Sequence, residues 1–154
     1  MAKNDNVEKF KQHLEAKILD SEGVHHEFVS GMHGRKLDFD VIPDNDPLLR
    51  EWIEAVTAAI DKLYPDIPRN KLALLSVANG TNRLVGPVAE KLGGGVTALL
   101  TEKESPKSVR LALESAKRLK ELDPVLVVAI EDVGTKGTTS ASAVRSARSA
   151  GAKR

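Results

Sequence analysis

Not one cysteine occurs in the 154-residue chain. Disulfides and thiolate metal sites are thereby excluded. Aromatic residues are almost as scarce, at 3%, so any core must be built from Leu, Val, Ile and Ala. Neither sign of charge prevails: the formal net charge is +1, too little to draw nucleic acid in general. No apolar run nears the roughly 20 residues that a membrane-crossing helix needs. The opening MAKNDNVEKFKQ has no signal-peptide core either. These absences point to a cytoplasmic protein that engages neither membrane nor nucleic acid. What remains is ordinary for a globular domain, 41% hydrophobic and 29% charged, and long enough to bury a single core.

Along the chain, residues 6–20 place Val7, Phe10, Leu14, Ile18 and Leu19 at helical spacing. Turn signals follow at Ser30-Gly31 and His33-Gly34, and residues 36–42 alternate Leu37, Phe39 and Val41 with polar neighbours, as a half-exposed strand does. Asp46-Pro47 then opens a strong helix, with Asp as N-cap, Pro in the first turn, and Trp52 on the apolar stripe. This divides the chain into an N-terminal segment, 1–45, and a core, 46–154.

From residue 70 the pattern alternates between strand and helix. Residues 72–77, 95–101 and 124–130 read as buried strands. Helices are expected over 82–93, over 105–122 with Ser105 as N-cap and Pro106 at the first position, and over 139–150. In the second of these the apolar stripe is Val109, Ala112, Leu113, Ala116 and Leu119. Such alternation predicts an α/β fold, a Rossmann-like parallel sheet flanked by helices.

The stretch VVAIEDVGTKGTTSASAV, residues 127–144, carries the chemistry. Ligands of open α/β sheets lie beyond the carboxyl ends of the strands, which is where Glu131 and Asp132 fall. Gly134 and Gly137 permit tight backbone turns in which successive N–H groups converge on an anion at a helix start. Thr135, Thr138 and Thr139 add hydroxyl donors. Two carboxylates beside a phosphate cradle repel it unless they serve another part of the ligand, such as sugar hydroxyls or a divalent cation. A phosphorylated sugar bound with metal fits. Neither the GxxxxGK[ST] nor the GxGxxG pattern is present, which disfavours a general nucleotide-binding domain.

The order strand, two acids, two small or apolar residues, then Thr-x-Gly-Thr resembles the phosphoribosyl-pyrophosphate (PRPP) signature of the type I phosphoribosyltransferases. The stretches FVSGMHGRKLDFDVI and LLSVANGTNRLVGPVAEKLG, with TEKE at 101–104, extend the resemblance towards the orotate phosphoribosyltransferase branch. It implies a type I phosphoribosyltransferase fold with a small N-terminal hood over the base. The implied reaction transfers ribose 5-phosphate from PRPP to a nucleobase, as in pyrimidine nucleotide biosynthesis. Pyrophosphate leaves with Mg2+, and the enzyme is expected as a homodimer.

By matching position, Glu131 and Asp132 would hold the ribose hydroxyls and serve the metal indirectly, through PRPP. Thr135, Lys136, Gly137, Thr138 and Thr139 would hold the 5-phosphate. Ala78, Asn79 and Gly80 would meet pyrophosphate through their backbone, and Lys103 would reach it from the family's mobile catalytic loop.

Three positions depart from that family's pattern. Val29 stands where a lysine is usual before Ser-Gly, and Gly80-Thr81 where the pyrophosphate loop usually offers another, with Arg83 the nearby cation. The catalytic loop reads Glu102-Lys103-Glu104, followed by Lys107 and no histidine. Fewer cations suit a second reading as well, a regulatory module of the same fold that binds PRPP or a nucleotide with weak turnover or none.

Other conspicuous residues read more plainly. His25 and His26, with His33 nearby, lack a carboxylate at ligand spacing and read as exposed. Asp38 and Asp40 read as the polar face of a strand, the mixed charges of 102–121 as the wet side of a helix, and Arg145 and Arg148 as solvent-facing. Residues 125–130 are apolar on both faces, which predicts neighbours on either side. The chain after 139–150 contains no further strand, so the sheet is expected to lack its last member and to expose an edge.

Overall fold

A computed structural model describes residues 42–78, 80–124, 126–132 and 137–153, together with the backbone of 26–27 and 33–34. Strands β1 (His26–Glu27) and β2 (His33–Gly34) form an antiparallel pair, with His26 opposite Gly34. The expected helix over 6–20 lies outside the described residues, and so does nearly all of the strand over 36–42.

Helix α1 (Pro47–Leu63) begins as its sequence predicts. Asp46 Oδ1 accepts the Leu48 N–H at 2.9 Å, and Pro47 occupies the first turn, where an N–H would lack a partner. Trp52 is buried on its inner face. A short 3-10 turn (Arg69–Lys71) leads into β3 (Leu72–Ser76), all five residues of which are buried. Helix α2 (Val85–Leu92) connects β3 to β4 (Thr97–Leu99).

The sheet has the order β4-β3-β7, where β7 is Leu126–Ile130, and all its pairings are parallel. Leu72 stands opposite Leu126 and Ala73 opposite Thr97. Because alternate residues of a strand face opposite sides, β3 supplies two cores. Leu72 and Leu74 pack with Trp52 and Ile60 of α1 and with Val85 and Val88 of α2. Ala73 and Leu75 pack with Leu119 of α3 (Leu113–Leu122) and with Ala143 and Ala147 of α4 (Thr138–Ser149). Each Leu buried in this way contributes about 1.5–3 kcal/mol. The result is a small parallel sheet with helices on both faces, compatible with a Rossmann-like fold.

Between β4 and α3 the chain departs from expectation. Residues 105–122 do not form one helix: β5 (Thr101–Ser105) and β6 (Ser108–Leu111) make an antiparallel hairpin, and the helix starts only at Leu113. The residues explain why. Ser108, Val109, Arg110 and Leu111 alternate with period two, and Val109 and Leu111 are buried. Ser105 does not cap a helix; its Oγ accepts the Lys107 N–H at 3.3 Å across the hairpin turn. Leu113, assigned to the apolar stripe, is 70% exposed. The expected strand over 95–101 also breaks at Leu100, whose N–H goes to Ser115 Oγ at 2.7 Å.

Strand β7 pairs with β3 alone; among the described residues no strand covers its outer edge. Its residues Leu126 to Ala129 are accordingly only half-buried, in keeping with the exposed edge expected from the sequence.

Candidate functional site

The connections at the carboxyl ends of β3 and β7 leave in opposite directions. Beyond β3 the chain turns to α2 on one face of the sheet; beyond β7 it turns to α4 on the other. Such a switch point opens a crevice between adjacent strands.

Where strand ladders end, backbone groups lose their partners and side chains must replace them. Three hydroxyls buried to 0% exposure do so here: Ser76, Thr81 and Thr101. Thr81 Oγ1 accepts the Val77 N–H at 2.8 Å and stands 3.0 Å from the carbonyl oxygens of Val77 and Ile130. It thus ties the loop after β3 to the end of β7. On the other flank, Thr101 Oγ1 accepts the Ala78 N–H at 2.9 Å and donates to the Ser76 carbonyl at 3.0 Å. Asn82 donates to the Thr101 carbonyl at 3.0 Å and accepts from Ser76 Oγ. The loop is held from both sides by groups that face away from solvent.

This scaffold brings Gly80 against Asp132. A Cβ on Gly80 would stand 2.0 Å from Asp132 Oδ2 and 2.7 Å from its Cγ, so only glycine allows this approach. The neighbouring Glu131 is half-buried and accepts a hydrogen bond from Ser140 Oγ, in the first turn of α4. Gly137 caps that helix with φ 68° and ψ 11°, a left-handed conformation suited to glycine. It offers no side-chain cap, so the N–H groups of the first turn are free of one. Asp132 thus lies against the loop after β3, and Glu131 against the uncapped first turn of α4.

The other predicted residues fall at different removes. Thr138 and Thr139 open α4. Ala78 is buried with its N–H committed to Thr101 Oγ1, so the backbone donor expected to meet pyrophosphate there is already engaged. Asn79, Thr135 and Lys136 lie outside the described residues. Lys103 and Lys107 are exposed on the hairpin, Lys103 in β5 and Lys107 in the turn. Arg83 lies in the turn just before α2, with its guanidinium engaged by the Ile42 carbonyl and, at 3.5 Å, by Asp44. Arg145 and Arg148 are exposed, as expected.

Sequence reasoning passed over Ser76, Asn82, Thr101, Ser140, Ser142 and Ser146. A readable signal existed for four of them: Ser76 and Thr101 each end an apolar run of the sequence, where ladders run out. Ser142 and Ser146 also stand four apart on α4, a spacing that places them on one helical face.

Among the described residues no three His, Asp or Glu side chains gather to hold a metal ion, and no helix is long and apolar enough to cross a membrane. No protein-family model matches the chain, and no curated protein matches it in sequence.

Proposed function

We propose that the crevice binds PRPP and that the chain is a phosphoribosyltransferase of the orotate-like branch, acting on a nucleobase. One observation carries the reading. The Asp132 carboxylate lies against Gly80 of the loop after β3, while its neighbour Glu131 accepts from Ser140 at the start of α4, so the adjacent acids contact both proposed binding segments.

In this reading the ribose hydroxyls donate to Glu131 and Asp132, and the 5-phosphate accepts from the amides and hydroxyls that begin α4. The diphosphate lies over Gly80 towards Lys103. Transfer breaks the bond between ribose C1 and the diphosphate oxygen and forms one from C1 to a base nitrogen, whose proton is released to solvent. Charge grows on the departing diphosphate, so cations at that end lower the barrier. The two carboxylates at the other end oppose the positive charge that builds on the ribose ring.

Mg2+ suits the donor set in one manner only. A carboxylate pair with no third carboxylate or histidine gathered beside it among the described residues fits an ion that arrives with the diphosphate and is served by Glu131 and Asp132 through the sugar. When bound, it would add positive charge against the leaving group.

Titration of the protein with PRPP in a calorimeter tests the reading. Binding is expected with Mg2+ and not without it, and Asp132→Ala is expected to abolish it. Equal binding by that variant would remove the site. Release of pyrophosphate from PRPP across a panel of nucleobases then reports turnover.

The engagement of Arg83 by Ile42 and Asp44 favours a second reading. It withdraws one cation from the diphosphate end, as befits a module that binds PRPP or a nucleotide for regulation. Binding without pyrophosphate release from any base would select it.

A further inference from the structure

Strand β6 has β5 along one edge and, along the other, the side of helix α4 in place of a strand. Ser142 Oγ accepts the Val109 N–H at 3.1 Å and stands 3.0 Å from the Val109 carbonyl as donor. One turn later Ser146 Oγ accepts the Leu111 N–H at 2.7 Å. The spacings match: four helical residues rise about 6 Å and two strand residues about 6.6 Å. Two serines of the helix thus bond to β6 as a neighbouring strand would.

The pairing also sets direction. Residue 142 meets 109 and residue 146 meets 111, so α4 and β6 run the same way. The N-terminal turn of α4 therefore lies towards the hairpin-tip end of β6. Lys103 stands directly opposite Val109 in the β5–β6 register. Opposed residues of an antiparallel pair share a face, so Lys103 lies on the side of the hairpin that carries buried Val109 towards α4. Glu102 and Arg110 take the outer side and pair at 3.3 Å. Among the described residues no partner holds the Lys103 ammonium.

We propose that Ser142, seconded by Ser146, is a positioning residue that locks the β5–β6 hairpin to α4 and so aims Lys103 at the diphosphate of a sugar whose 5-phosphate sits at the start of that helix. This rests on the PRPP reading above. It adds that the strand pair carrying Lys103 and the helix whose first turn meets the 5-phosphate are bonded to each other, so the serines set where the cation stands relative to that turn.

A double-mutant cycle tests it, with Mg2+–PRPP as the titrant and wild type, Ser142→Ala, Lys103→Ala and the double variant as the four proteins. Lys103→Ala is expected to weaken binding about tenfold, near the value of one charge-assisted hydrogen bond. Ser142→Ala is expected to weaken it several-fold, and the double variant no further than Lys103→Ala alone, because the serine acts through the lysine. Ser146→Ala repeats the cycle should Ser142→Ala not fold. Losses that multiply in the double variant, or a serine variant that binds as wild type does, would overturn the assignment while leaving PRPP binding intact. Absence of binding by wild type would instead overturn the functional reading, and this inference with it.

Discussion

Gly80 and Asp132 touch across the crevice, and nothing larger than hydrogen fits on the glycine α-carbon without displacing the carboxylate, which would lie 2.0 Å from a new Cβ. Gly80→Ala must therefore push Asp132 aside. The atom displaced is the far end of a side chain, so the fold has an inexpensive way to relax. Affinity for Mg2+–PRPP is expected to fall at least about tenfold, a change of roughly 1.4 kcal/mol in binding. The melting temperature is expected to move by only a few degrees. Calorimetry and a thermal melt on the same preparation separate the two effects.

Thr81→Val removes the hydroxyl that joins the loop after β3 to the end of β7. The Val77 N–H keeps a bond to the Ile130 carbonyl at 3.1 Å, but the hydroxyl's own contacts are lost in a fully buried place. The expected cost is about 1–3 kcal/mol of stability, measured as a lower urea midpoint with unchanged slope.

Leu74→Ala empties a fully buried position between α1 and α2. Leu-to-Ala changes in cores cost roughly 2–5 kcal/mol, and the flanking helices pack on too many sides to collapse onto the gap. Urea denaturation is expected to register a loss within that range; a loss under about 1 kcal/mol would contradict the packing described.

A pH-dependent tie closes the far side of the molecule. Asp123 follows α3 with a left-handed backbone, φ 42°, and accepts from Lys153 Nζ at 2.6 Å. That hydrogen bond, with the charge of Lys153, holds the Asp123 carboxyl below the usual carboxylate range. A depressed folded-state pKa stabilises the fold above the unfolded carboxyl's pKa, and the contribution is lost as pH falls through the folded value. Asp123→Asn, which tolerates the same backbone, is therefore expected to lower the melting temperature slightly near pH 7 and not at all near pH 2. Both ends of the pair are exposed, and raised salt is expected to shrink the difference.

The fold from α1 onward was written in the sequence where a single local rule was in force. Asp46-Pro47 could open only a helix, and the uniformly apolar run at Leu72 could be only a covered strand. The region after Leu100 was not, because two rules competed. Ser105-Pro106 has the grammar of a helix start, yet Val109 and Leu111 alternate as strand residues. What decided between them was the apolar side of α4, some thirty residues ahead, with Ser142 and Ser146 ready to bond the edge of β6. The acid pair was legible from chemistry alone. Its closeness to Gly80 was not, since it depends on the exit directions of two loops that only the folded sheet defines.

The parallel registers imply an order of events. Leu72 stands opposite Leu126, more than fifty positions later, and the hollow beside Gly80 needs Asp132 and Ser140 from still further along. The binding corner cannot exist until the chain has been made past Ser140, and contacts of such long range form slowly in folding. Ligand in the medium would favour only the completed fold, and would raise its stability in proportion to the logarithm of its concentration.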